Sequence, residues 1–264
     1  MDNEREMNDS LFANDKIGRK PVRIAFDDAL YPCRVKAFMG KKAPKHLDMV
    51  GNKELLDMAG LGLCGSRKAG SKILEIARDC AEQAAQSGVC VVSGNAAGVD
   101  FESHFNCLRA GGKTILVIPE GINHFRIRKA LRPVWDWERV LVVSQFGPDE
   151  PWKSLRAMVR NQLVLALSRA VVVVESGEKG GSLNAGEEAI KRGIPLYVAR
   201  HQDMSADARG NQILLGKGAR ELPQSGSSGK MDLTEVFKSM EEEGIPQSSS
   251  GRQGEFELHP MAPK

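Results

Sequence analysis

The segment Leu61–Arg67, LGLCGSR, constrains this chain more than any other stretch, because a short apolar run halts abruptly at Gly-Ser-Arg. The same grammar returns where Val89–Val92 runs into Ser93-Gly94-Asn95-Ala96-Ala97-Gly98-Val99-Asp100. Parallel strands covered on both faces read as unbroken apolar runs, and glycines at their ends permit a sharp turn into a helix. A helix opening at such a turn leaves free N–H groups and its positive dipole end facing outward, a place for phosphate.

The alternation continues down the chain. Strands are expected at 61–64, 89–92, 114–118, 140–143, 170–174 and 195–198, and helices at 71–87, 99–109, 151–167 and 181–192. Strand and helix in strict alternation predict an α/β fold with a parallel, doubly wound sheet between two helical layers. In such sheets ligands lie beyond the carboxyl ends of the strands, where the glycine turns fall. Residues 1–20 read as a flexible leader and 21–58 as a small lead-in unit, so the main domain is expected over 21–222. Beyond it the sequence predicts a Ser/Gly linker over 224–230, a short helix over 232–243, and a disordered tail from 245.

Bulk charge identifies nothing, since the net charge is only +3. Its distribution is more informative: between Glu120 and Ala170 there are nine Lys/Arg and five Asp/Glu. The five cysteines show no C-x-x-C spacing. They argue against a disulfide framework or a zinc site and fit a reducing cytoplasm. Neither a metal nor a cofactor is expected. The first residues are polar and acidic rather than a signal peptide, and no run approaches the roughly 18 apolar residues of a membrane span.

Four segments suit nucleic-acid phosphates and bases. In Gly65-Ser66-Arg67 a hydroxyl and a guanidinium are expected at a helix N-terminus, where both match phosphate oxygens. Ser93 and Gly94 open the second turn, with Asp100 as an N-cap or loop anchor and His104 as a structural residue. Gly181 and Ser182 form a third Gly/Ser turn at a helix start, and Arg160-Asn161 precede the strand that leads to it. After the third strand, Phe125 with Arg126, Arg128 and Lys129 interleaves a ring with cations, as single-strand binding surfaces do. Gly111-Gly112-Lys113-Thr114 precedes a strand rather than opening a helix, so it is no P-loop. GSRKAG lacks the middle glycine of a dinucleotide fingerprint.

Seven motifs, namely GSR, SGNAAGVD, GGKTILVIPEGIN, VVSQF, RNQLVLALS, VVVVES with GGSLNA, and GNQILLGKGARELP, stand in the order found in the DNA-processing protein A (DprA/Smf) family. The chain resembles that family over roughly residues 50–222, with Tyr31-Pro32 and GNKELL similar to its lead-in. The resemblance implies an extended Rossmann-like fold that binds single-stranded DNA along the glycine-turn edge. It also implies homodimers, delivery of DNA to a RecA-type recombinase, as in natural transformation, and no catalytic role. Residue by residue, Gly65, Ser66, Arg67, Ser93, Gly94 and Ser182 match phosphate-facing positions, and Phe125 stands where the family usually has Tyr. Departures are Ala97 at a usually basic position, Gln145 for Glu, and GGSLNAG for the usual SGSLxTA. A reduced, core-only member is expected, without the family's N-terminal helical domain or C-terminal winged helix. The competing expectation is a LOG-like phosphoribohydrolase, with Glu187 or Glu188 as its acid.

Overall fold

The computed structural model describes residues 19–199, 208–225 and 229–242. Most of the leader and the expected tail from 245 lie outside the described residues.

Nine strands form one sheet: β1 Val22–Ala25, β2 His46–Gly51, β3 Gly60–Cys64, β4 Cys90–Ser93, β5 Thr114–Ile118, β6 Val140–Ser144, β7 Ala170–Val173, β8 Leu196–Ala199 and β9 Arg220–Leu222. Their spatial order is β1-β2-β6-β5-β4-β3-β7-β8-β9. From β6 across to β9 every pairing is parallel, whereas β1 and β2 are antiparallel to their neighbours. The helices are α1 Cys33–Met39, α2 Ser71–Gln86, α3 Val99–Arg109, α4 Ser154–Ala166, α5 Gly181–Lys191, α6 Arg209–Gly216 and α7 Thr234–Glu242. This is the expected three-layer, mostly parallel α/β architecture.

Why the strands read as solid apolar runs is visible in the core. Successive residues alternate between two covered faces, as the two-residue period of a strand demands. In β7, Val171 and Val173 pack with Leu163 and Val164 of α4 and Leu183 of α5. Ala170, Val172 and Val174 pack on the other face with Ile73, Ile76 and Cys80 of α2 and with Val236 and Met240 of α7. The four cysteines of α2, α3 and the strands are buried and unpaired, small hydrophobes in effect. Burial pushes the thiols of Cys64 and Cys107 up to about 12.

Two regions differ from the sequence expectation. The lead-in is part of the sheet itself: β2 pairs with β6 from Asp48↔Ser144 to Gly51↔Leu141, and β1 pairs with β2. Its short strands carry no strong periodic signal and are held by long-range pairs such as Arg23 to the buried Asp48 carboxylate, at 2.7 and 2.8 Å. The segment after 222 also joins the body, since Met231, Leu233, Val236 and Met240 are buried in the core. Gln224 pairs with Met231 in an antiparallel bridge, so the two ends of the Ser/Gly stretch lie side by side.

Connectivity sets the position of any ligand. From β3 the chain winds outward through β4 and β5 to β6, and α4 then returns it to the other side of β3, where β7 pairs. The loop after β3 leads to α2 on one face, and the loop after β7 leads to α5 on the other. The two loops diverge and leave a crevice at the switch point of the sheet.

A candidate nucleic-acid interface

A cleft of about 560 Å³ opens at that switch point. It is walled by Gly65–Lys68 after β3, Gly94 and Ala96 after β4, Glu175–Gly177 after β7, the start of α5, and Arg160 with Asn161 from α4. Four cations, Arg67, Lys68, Arg160 and Lys179, line it against two carboxylates, Asp100 and Glu175. Among the described residues Arg67, Lys68 and Lys179 are exposed and form no ion pair. Sequence reasoning missed Lys68 and Lys179, although each adjoins a glycine turn that it had singled out.

The turns interlock through backbone contacts. Gly98 has φ +71°, and a Cβ there would lie 2.3 Å from the Ser66 carbonyl oxygen, so only glycine lets the two loops meet. Val99 N–H donates to that same oxygen at 3.2 Å. Ser182 Oγ donates to the Gly65 carbonyl at 3.0 Å and Asn161 Nδ2 to the Gly181 carbonyl at 3.2 Å, which couples α5 and α4 to the loop after β3. Ser93 is buried and donates to the Leu63 carbonyl at 2.6 Å. It joins two strands rather than facing the cleft.

Beneath the surface lies a second set of cations with assigned partners. Arg160 is 4% exposed, and its guanidinium fills the notch at Gly94. It stands 3.8 Å from the Asp100 carboxylate. Burial lowers the Arg160 pKa and the Asp100 charge opposes the shift. Asp100 also accepts from Ala96 N–H at 3.1 Å, which fulfils the expected loop-anchor role. His104 is the structural residue anticipated. The Gly94 carbonyl can only accept, so Nε2 donates to it at 2.6 Å; Nδ1 lies 2.7 Å from the Thr114 hydroxyl, whose single proton serves either Nδ1 or the Val91 carbonyl at 2.9 Å. Burial pushes its pKa down to about 4.

Three expectations need correction. Ser66 and Arg67 are not at a helix N-terminus, because α2 begins only at Ser71 with Gly70 as its cap. They stand at a turn in the loop, and Ser66 Oγ accepts from Lys68 N–H at 3.2 Å. Phe125 is 1% exposed and packs against Trp135, so it offers no face to a base. Arg128 is half-buried and donates to the Asn95 and Ala96 carbonyls. It braces the turn after β4 from behind. Arg126 stays exposed but is bonded to the Asn123 and Phe125 carbonyls at 2.8 and 2.7 Å. Lys129 is exposed at the start of the next 3₁₀ turn.

The structure thus brings Gly65, Ser66, Arg67, Gly94, Arg160, Asn161, Gly181 and Ser182 to one cleft. Arg128 brings the 125–129 segment against its β4 side. Because β5, β4, β3 and β7 are adjacent, their ends form a track roughly 14 Å across at the usual strand spacing of about 4.8 Å. Asn211 also escaped sequence reasoning. It accepts from Ser176 N–H at 2.7 Å and donates to the Val174 and Ala199 carbonyls at 3.1 and 3.0 Å, holding the cleft wall after β7. The LOG-like acids lie elsewhere, with Glu187 paired to Lys217 at 2.5 Å and Glu188 to Arg192 at 2.8 Å, neither lining the cleft. No helix among the described residues is long and apolar enough to cross a membrane.

Residues 23–229 match the sequence profile of the DNA recombination-mediator protein A family. The chain is 32% identical to DNA processing protein DprA of Streptococcus pneumoniae over 183 residues, 67% of this chain and 63% of that one. It is 26% identical to DprA of Bacillus subtilis over 163 residues, 61% of this chain and 55% of that one. It therefore spans less than two thirds of the length of these relatives. The S. pneumoniae DprA structure superposes with a TM-score of 0.68 at 27% identity, covering 83% of this chain and 76% of that one. DNA processing protein A from Helicobacter pylori, which has its own single-stranded DNA binding mode, superposes with a TM-score of 0.70 at 24% identity, covering 86% and 99%.

Proposed function

The chain belongs to the DNA recombination-mediator protein A family, and on that premise we propose that it binds single-stranded DNA in the switch-point cleft. The observation that carries this reading is a cleft rimmed by Arg67, Lys68 and Lys179, cations without carboxylate partners among the described residues, set on glycine turns with accessible backbone. Phosphates take the exposed cations and the N-terminal N–H groups of α5, where Gly180 caps the helix without a side chain of its own. Gly65, Ser66, Gly94, Asn161, Gly181 and Ser182 shape the path, while the exposed Lys129 extends it past β5. Arg160, Arg128 and Ser93 hold the turns in place.

Contacts of this kind fix the path of a backbone without reading bases, so binding is tolerant of sequence. The role that fits is accessory: holding a single strand during DNA processing or recombination in the cytoplasm, as a homodimer, and passing it to a RecA-type recombinase. Catalysis forms no part of it.

Anisotropy titration of a labelled oligo-dT across a salt series tests the proposal. Affinity falls with salt at a slope of about −0.7 per phosphate contacted. Arg67→Ala reduces that slope by about 0.7 and weakens binding about five-fold at about 0.1 M salt. Equal affinity for blunt duplex and single strand overturns the reading.

A further inference from the structure

A second groove, of about 520 Å³, continues from the cleft between α1, α4 and α5. Met158, Asn161 and Gly181 line both, so the two form one continuous depression. Its floor carries the exposed apolar side chains of Leu155, Met158 and Val159, at 69%, 49% and 43% exposure. Its far rim carries Lys42, just past α1, and Lys191, in the last turn of α5; both are exposed and form no ion pair among the described residues. Glu188 also lines the groove, its carboxylate paired to Arg192 at 2.8 Å. Apolar floor and cationic rim match a chain with flat apolar bases on one side and anions on the other.

Building on the proposed function, we propose that this groove is a second subsite for the same DNA strand, which leaves the cleft over α4 and runs toward Lys42 and Lys191. Bases lie along Leu155–Val159 and the outgoing phosphates meet the two lysines. The cleft alone then holds a short strand, and only a longer one reaches the far rim.

Oligo-dT of about 6 and about 20 nucleotides, which bracket common single-strand site sizes, separates the two parts. In the double variant Lys42→Ala/Lys191→Ala, affinity for the short oligo is unchanged. Affinity for the long one falls about 10- to 25-fold at about 0.1 M salt, and its salt slope drops by about 1.4, as two lost phosphate contacts require. Lys53→Ala/Lys238→Ala removes the same charge from exposed sites outside the groove and leaves both affinities intact. Loss at both lengths, or at neither, overturns the inference while short-oligo binding still upholds the cleft. Failure of the wild type to bind either oligo overturns the functional reading itself. Poly-glutamate binding that the double variant abolishes, with both oligo affinities unaltered, assigns the groove to an acidic protein segment instead.

Discussion

The loop after β3 and the segment after β5 both leave the carboxyl edge of the sheet carrying arginines, yet they use them in opposite ways. After β3, Arg67 and Lys68 project from a turn with no carboxylate partner among the described residues. After β5, Arg128 is bonded to the Asn95 and Ala96 carbonyls, Arg126 to its own loop, and Phe125 is sealed under Trp135. Two stretches of similar composition are thus placed differently: Arg67 and Lys68 line the cleft, while Phe125 and Arg128 build the wall behind it. The lesson is that a cation counts toward a phosphate site only when the fold has left it unspent.

The buried Arg160 gives the sharpest contrast with Arg67, and the largest expected effect. Arg160→Met leaves the Asp100 carboxylate, 9% exposed, with the Ala96 N–H and the charge of the half-buried Arg128. Stranding a buried charge in this way costs about 3–5 kcal/mol. Arg67→Ala, which removes a solvated side chain, changes stability by at most about 0.5 kcal/mol. Urea unfolding of both variants checks the pair. Equal stability would erase the distinction between structural and ligand-facing arginines.

His104 extends the contrast to pH. Its pKa in the folded protein, about 4, lies below the 6.5 of an unfolded histidine. Between those values the unfolded chain binds a proton that the folded chain refuses, so stability is full above about 6.5 and declines as pH falls toward 4. At about 1.4 kcal/mol per unit the decline amounts to about 3 kcal/mol. Its physical form is protonation of Nδ1, which sets a new N–H against the Thr114 hydroxyl inside the core while Nε2 keeps the Gly94 carbonyl. In His104→Gln this part of the pH dependence disappears, as denaturant unfolding near pH 7 and near pH 4.5 measures. A variant that keeps the wild-type slope would move the titration to another group.

Much of the fold was legible because a doubly covered strand announces itself. Ala170–Val173 has no polar residue to misplace, and α3 and β5 begin and end where their glycine and apolar patterns stop. β1 and β2 were not legible as sheet strands, since their partners are far away in sequence and short mixed segments carry little periodicity. The cleft was legible as a set of glycine turns on one edge, because backbone freedom is written in residue type. What the cations do there was not. Burial of Arg160 depends on a notch at Gly94, and the fate of Phe125 depends on Trp135 and Trp137 folding over it through two 3₁₀ turns. Neither relation leaves a mark in the local sequence.

Phe125 supplies the smallest and most discriminating effect. A ring that stacks on bases contributes about 1–3 kcal/mol to binding, and a ring inside a core contributes to stability instead. In the structure it packs with Ile122, Leu131 and Val142 beneath the sheet edge. Phe125→Leu keeps an apolar side chain of nearly the same volume, so it lowers stability by about 1 kcal/mol. Oligo-dT affinity per folded molecule stays at the wild-type value and the salt slope does not move, because no phosphate contact is lost. A several-fold loss of affinity with unchanged stability would return the ring to the DNA and make Phe125 part of the binding face rather than its support. Stability and affinity measured on this one variant thus separate the two arrangements, since each predicts a change only where the other predicts none.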